Sequence, residues 1–296
     1  MKITMEILVT VRNIEKYPIY GYMADGIIIG SLFTSGYDLS RQEMKDLIDY
    51  SHKYNKKVYV AIDDFIQESD RVALFEYFDF VVGLNPDGIY YHDMALLDAA
   101  RKYGFMDKMI YDGKTIICNS LEAAFYLNTG IDSIVLSREL TLEEILPIVK
   151  YNPGRVDMQV FGHLRMSYSK RNFLTNYFKE IGEDYDYLNN KNLTITEEKR
   201  DYHMPILQDK SGTKIYSDFI FECYEELPEL SEYLKRGIID TLFINDQTVL
   251  HALRDYRRIN KLNAQFLKNA FTRGTGRKYS TGYLYVKTNK TKDGKD

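Results

Sequence analysis

Tryptophan is absent, and only Cys118 and Cys223 among 296 residues carry a thiol. Two thiols in one chain make neither a disulfide framework nor a four-thiolate site. No pair of histidines or cysteines has zinc-ligand spacing, which argues against a structural metal. No apolar run approaches the roughly 20 residues needed to span a bilayer. The N-terminus sets Glu6 inside a short strand-like run rather than a leader peptide. These absences predict a cytoplasmic protein with reduced thiols and no membrane contact. There is no glycine-rich phosphate loop and no GxSxG elbow. A formal net charge of −4 provides no overall basic field for nucleic acid.

What is present is ordinary globular material: 45% hydrophobic and 28% charged residues. The length accommodates one large α/β domain or two small ones. The 26 tyrosines suit half-buried surfaces and carry no functional signal. The segment 268–296 differs, with eight Lys/Arg against two Asp. It reads either as a solvated tail or as a contact for an anionic partner such as RNA.

Strand and helix patterns alternate from the start. Apolar runs predict strands at 5–11, 27–30, 58–62, 89–91, 109–111, 134–136 and 156–161, and residues 241–244 supply an eighth. Ser40 with Glu43, and Thr141 with Glu144, form capping boxes ahead of two of the intervening helices. The segments 24–30, 86–93, 130–137 and 237–245 share one grammar, an Asp before a short apolar run that ends in a small or polar residue. Eight strand–helix units over residues 1–260 predict a (β/α)8 TIM-barrel-like fold. A small β-rich insertion at about 177–217 precedes the last unit, with strand-like runs at 193–195 and 214–216. Helices are expected at 228–236 and 248–259. The remainder, 261–296, reads as a basic and partly disordered tail, with a flexible loop at 273–278, a short strand at 283–286 and a disordered end.

In such a barrel, chemistry sits at the C-terminal ends of the strands. That rule selects Asp63, His92, Asp93, Asp112, Arg138, Glu139, His163, Arg165, Asn245 and Asp246. Asp93, Asn245 and Asp246 also have the position of helix N-caps, and Asp63 and Asp112 fit either role. His92 and His163 suit general bases or metal ligands, or are simply polar loop residues. His52, His203 and His251 read as surface residues. Arg138 and Glu139 read as a salt bridge across the mouth or as an anchor for an anionic substrate. The segment 156–178, VDMQVFGHLRMSYSKRNFLTNYF, is the richest. An apolar strand breaks at Gly162 into a polar loop, whose His163, Arg165, Ser167, Lys170 and Arg171 can bind phosphate or carboxylate. Asp112, His163, Ser167 and Ser169 are the catalytic candidates. In a loop, His163 lies within reach of either serine as a nucleophile–base pair.

Several ordered blocks resemble the collagenase-like U32 peptidase family. SIVLSRELTLEEI (133–145) is similar to the family's VVLARELSLEEI, and MQVFGHLRMSYSKRNFLT (158–175) to its EVFVHGALCVSYSGRCLLS. MPILQDKSGTKIYS (204–217), the early block at 27–44 and STGYLY (280–285) extend the match over nearly the whole chain. The resemblance implies a barrel, and a peptidase name without a settled catalytic type. It also implies relatives that hydroxylate quinone precursors, or uridine in tRNA and rRNA, with an iron–sulfur cluster on four cysteines. Two of those cysteines fall at Arg165 and Asn172 of this chain. Arg and Asn cannot stand in for thiolates, so no cluster cofactor is expected on this chain alone. Cys118 lies outside the pattern and reads as a small buried residue. Cys223 is only near a later family cysteine. By resemblance, cysteine-poor members pair with a cysteine-bearing paralogue in forming 5-hydroxyuridine at the tRNA wobble position. Three functions follow as alternatives: a cluster-less subunit of such a pair, with tRNA and the paralogue as partners; a collagenase-like hydrolase; or a pseudoenzyme scaffold.

Overall fold

The structure is a computed structural model that describes residues 5–198 and 201–287. Seven strands succeed one another around a parallel sheet: β1 (Glu6–Thr10), β2 (Gly26–Ile29), β3 (Lys57–Ile62), β4 (Gly88–Tyr91), β5 (Met109–Asp112), β6 (Ser133–Val135) and β7 (Val156–Ser169). The ring is completed from far along the chain. After the insertion strands β8 (Thr194–Thr196), β9 (His203–Asp209) and β10 (Gly212–Glu222), strand β11 (Arg236–Ile239) enters between β7 and β1 and closes an eight-stranded barrel. A two-residue strand, β12 (Tyr279–Ser280), pairs with β10.

Helices α1 (Tyr17–Tyr20), α2 (Arg41–Lys53), α3 (Arg71–Gly83), α4 (Ala95–Tyr103), α5 (Ser120–Leu127) and α6 (Leu142–Tyr151) fill the first six connections. Both expected capping boxes are present, Ser40 with Glu43 on α2 and Thr141 with Glu144 on α6. The chain continues with α7 (Phe173–Ile181), α8 (Leu227–Leu230), α9 (Asp246–Arg258) and α10 (Ala264–Thr275).

The strand period of two sorts side chains into two cores. Ile7 and Val9, Ile27 and Ile29, and Val58, Val60 and Ile62 face outward into the layer beneath the helices. Leu8, Ile28, Tyr59, Ala61, Tyr90, Ile110 and Val135 point into the lumen and fill it. At the N-terminal end a buried polar plug closes the lumen. Arg236 donates to Asp157 and Ser133 at 2.9 Å each, to Asp132 at 2.5 Å and to the Tyr59 hydroxyl at 3.2 Å. Tyr90 donates to the same Asp157 at 2.9 Å.

Four expectations are corrected here. The eighth strand is 236–239, not 241–244. Leu242 and Phe243 instead form a turn after it, preceded by Thr241, which is tied to Thr10 at the end of β1. The expected helix at 228–236 is only the single turn of α8, because its C-terminal end is this strand. Beyond residue 260, helix α10 (to Thr275) takes in the first half of the supposed flexible loop at 273–278. Its Leu267 and Phe271 are buried in the main core, so this stretch belongs to the barrel's packing. The stretch 283–286 is turn rather than strand, with Leu284 buried. The expected disorder at the end falls on residues 288–296, outside the described residues.

Strand β7 is the largest departure. It does not break at Gly162 but runs on to Ser169, leaving the barrel and pairing antiparallel with β10. Gly162 permits the turn-out, with φ +120°; a Cβ there would lie 2.5 Å from the Asp240 carbonyl oxygen. With β10, β9 and β8 the extension forms a small antiparallel sheet, the β-rich insertion expected from sequence. Its own small core of Leu207 and Tyr216 packs on Leu242 and Phe243 of the turn after β11. Asp209, at the β9–β10 turn, latches the sheet to the β2–α2 loop by accepting from Ser35 Oγ at 2.5 Å and Gly36 N at 3.1 Å.

Candidate functional site

The C-terminal mouth of the barrel holds a cavity of about 90 Å³, roofed partly by the β7 extension and Tyr216 of β10. Its charged lining comes from Arg12, just past β1, Asp63 past β3, Asp112 at the end of β5, Arg138 past β6, His163 and Arg165 on β7, and Asp240 past β11. This is the strand-end geometry that barrels use for ligands.

The carboxylates are already paired. Asp240 accepts from Arg12 Nη2 at 2.6 Å and from Leu242 N at 2.9 Å. Lys114 sits between Asp63 and Asp112, donating to Asp63 and, at 2.6 Å, to Asp112. Burial works to raise both acids, yet Lys114 foremost, with Arg165 or Arg138, holds them well below the ordinary carboxylate range. Lys114 keeps a left-handed backbone, φ 61°, to reach this position. A non-glycine residue held there is strain typical of functional sites.

The donors, by contrast, have capacity to spare. Arg165 has no hydrogen bond or ion pair to any described residue, and the strongest charge acting on it is that of Asp63. Arg138 donates to Gln159 at 3.0 Å and reaches Asp112 only at 3.6 Å. The Nε of Arg12 is buried with no hydrogen-bond partner among the described residues, and its guanidinium lies 4.5 Å over the Tyr37 ring. Burial pushes the Tyr216 phenol up to about 12 and raises that of Tyr37, so both remain neutral donors at physiological pH. Spare donors beside satisfied acceptors suit a small anion.

The structure brings Asp63, Asp112, Arg138, His163 and Arg165 together, and separates the other candidates. Extension of β7 puts His163 and Ser167 four residues apart along a strand, about 13 Å at ~3.3 Å per residue, and Ser169 further still. The His163–serine pair expected within a loop therefore does not form. The His163 Nδ1 instead shares a 2.7 Å hydrogen bond with the Ser217 carbonyl, and burial lowers its basicity. Lys170 turns to Asp64 at 3.6 Å and Asp70 at 3.9 Å, while Arg171 is exposed outside the mouth. Glu139 is exposed on the rim, with no salt bridge to Arg138. His92 stacks edge-on to Phe65 and bonds the Asp112 carbonyl. Asn245 caps α9, Asp93 accepts from Ala95 N, and Asp246 is the first helical residue, bound by Lys16 and Tyr20. His52 and His203 are exposed, but His251 is half-buried between Asp255 and Phe271.

Arg12, Lys114 and Asp240 are the site residues that sequence reasoning missed. Arg12 and Lys114 lie two residues beyond strand termini, so a rule allowing a two-residue overhang finds them. Asp240 was hidden by the shifted eighth strand.

The cysteines do not gather. Cys223 lies behind the barrel wall, its thiol against the Val160 carbonyl and kept protonated by burial. Cys118 is exposed rather than buried, in the loop before α5. Asn172, at the start of α7, is exposed. Among the described residues no three His, Cys, Asp or Glu side chains converge on a metal-sized site. The residues present do not fit an iron–sulfur cluster, which needs cysteine thiolates at its iron atoms.

A parallel barrel with an antiparallel excursion over its mouth, matched by the model of peptidase family U32 over residues 31–294, makes this chain a member of that family. It is 29% identical over 196 residues to tRNA hydroxylation protein P2 of Bacillus subtilis, covering 65% of this chain and 63% of that protein. It is 26% identical to the uncharacterized protease MJ0090 of Methanocaldococcus jannaschii, over 92% of this chain and 70% of the relative. With tRNA hydroxylation protein P of Helicobacter pylori it shares 29% identity over 56% of this chain and 40% of that protein. The matched region is thus under two thirds of both tRNA hydroxylation proteins. The solved U32 peptidase Mk0906 aligns over 81% of this chain at 14% identity, with a TM-score of 0.49. No helix of the described residues is long and apolar enough to cross a membrane.

Proposed function

We propose that this chain is a cluster-less subunit that supports tRNA wobble-uridine hydroxylation together with a cysteine-bearing U32 paralogue. The observation that carries the reading is the substitution at the mouth. Arg165, at a position where the family resemblance expects a cluster cysteine, is a guanidinium beside the cavity without a partner among the described residues. A residue that cannot ligate iron has become the freest anion donor of the site. Similarity to tRNA hydroxylation proteins supplies the reaction context. In this reading the paralogue holds the redox centre, while the present chain binds and orients the anionic substrate.

The hydrolase alternative lacks its nucleophile–base pair, since β7 holds His163 and Ser167 apart. The test is genetic and chemical together. Deletion is expected to abolish wobble 5-hydroxyuridine in digested tRNA measured by mass spectrometry, and the tagged chain is expected to co-purify with a cysteine-bearing paralogue. Arg165→Ala is expected to lower the modification at least tenfold with the melting temperature nearly unchanged. Normal 5-hydroxyuridine in the deletion strain overturns the reading.

A further inference from the structure

Beside the mouth cavity lies a second opening, a groove of about 190 Å³ between the rim and the outer part of β7. Arg138 and Arg165 line both spaces, so the groove adjoins the cavity at these two residues. Its outer part is of different character. Phe65 and Met166 contribute apolar surface, 39% and 38% exposed, and Ser167 presents an exposed hydroxyl. Glu139 is exposed there, and its carboxylate has no hydrogen-bonding or ionic partner among the described residues.

The ligand that this pattern suits is neither a plain anion nor a cation. A plain anion is repelled by Glu139, and a cation by Arg138 and Arg165. A flat ring that offers one N–H donor flanked by carbonyl acceptors satisfies both sides. The imide edge of uracil has that arrangement, whereas cytosine offers an acceptor nitrogen and an amino donor in its place. Bases of single-stranded RNA are recognised in this way, laid on apolar or aromatic surface with their pairing edge read by side chains. We propose that this groove receives the target uridine, that Glu139 accepts its N3–H, and that Ser167 with Arg138 or Arg165 donates to its carbonyl oxygens. Glu139 is then the residue that distinguishes uridine from cytidine. This inference rests on the tRNA reading above and adds to it where, and by which group, the base is chosen.

Sites that hydrogen-bond a substrate edge reject an analogue with the wrong pattern strongly, because their own polar groups are left unpaired. The test is fluorescence anisotropy of the full chain with a labelled anticodon stem-loop RNA, bearing U or C at the wobble position. The wild-type chain is expected to prefer U by tenfold or more, on the order of what one lost buried hydrogen bond gives. Glu139→Gln is expected to bring the two affinities within about twofold, because a carboxamide donates as readily as it accepts. Since Glu139 is exposed, the variant is expected to keep its melting temperature. RNA binding with an unchanged preference in Glu139→Gln, or no preference in the wild type, overturns this inference and leaves the tRNA reading standing. No binding of either RNA, by the chain alone or with its cysteine-bearing paralogue, overturns both.

Discussion

Lys114 shows how much of the mouth depends on one side chain. It is 8% exposed and is shared by Asp63 and Asp112, which are held in a site that otherwise disfavours charge. Lys114→Met leaves the buried Asp112 and the half-buried Asp63 without their common partner. The expected cost is about 3–5 kcal/mol, read from urea denaturation at neutral pH. The folded-state pKa values of both acids are depressed below their unfolded values. Their stabilising contribution is therefore complete above about pH 5 and lost as pH falls below about 4 toward the folded values. Wild-type stability should fall steeply in that window. In Lys114→Met the acid-side slope should be much shallower, because that variant lacks the main cause of the depression.

At the scale of elements, β7 carries the link between barrel and roof. Inside the barrel its Asp157 and Gln159 face the lumen; beyond Gly162 the same strand lines the mouth and groove. Gly162→Ala must accommodate a Cβ against the Asp240 carbonyl at a φ that side chains rarely adopt. A loss of at least 1–3 kcal/mol is expected. Gly130 is the control: its φ is +93°, but nothing lies within 4 Å of an added Cβ. Gly130→Ala should cost less, and equal losses in thermal denaturation would refute a steric role for the close approach. This strand was half legible in the sequence. The apolar period over 156–161 marks a buried strand, but Gly162 followed by polar residues looks like a loop. The pattern hides that a strand in a roof has one face toward a polar cavity and the other toward solvent, and so carries no apolar alternation. The first seven barrel strands were legible because each is buried on both sides. The eighth was misplaced because Arg236 and Gly237 read as a boundary, although Arg236 is a buried lumen residue.

At the scale of the molecule, the barrel does not end with its eighth helix. Phe271 of α10 is fully buried against Phe161, Tyr224 and His251, and β12 adds to the edge of β10. Basic composition suggested a tail, because the charges of this stretch are exposed while its few apolar residues are spaced for a helix face. Phe271→Ala is expected to cost about 3–5 kcal/mol, measurable as a shift of the urea midpoint. A change below about 1 kcal/mol would return this helix to the status of an appendage. That the mouth gathers Arg138, His163 and Arg165 around one cavity was legible from their places at the strand ends. Its internal pairing was not, since Arg12 with Asp240 joins residues 228 apart in the chain.

The plug at the foot of the barrel has a consequence for how the protein is made. Arg236 ties β11 to Asp132 and Asp157, and β11 alone bridges β1 to β7. While the chain is being synthesised, everything up to β10 emerges before the closing strand exists. The edges of β1 and β7 must wait unpaired through the translation of the whole roof. At about 5–20 residues per second this interval lasts seconds, with two sheet edges open to wrong partners. Closure pairs Glu6 with Arg236, which makes completion of the barrel a late and highly non-local step. The nascent protein, rather than the finished one, is thus the form most exposed to aggregation.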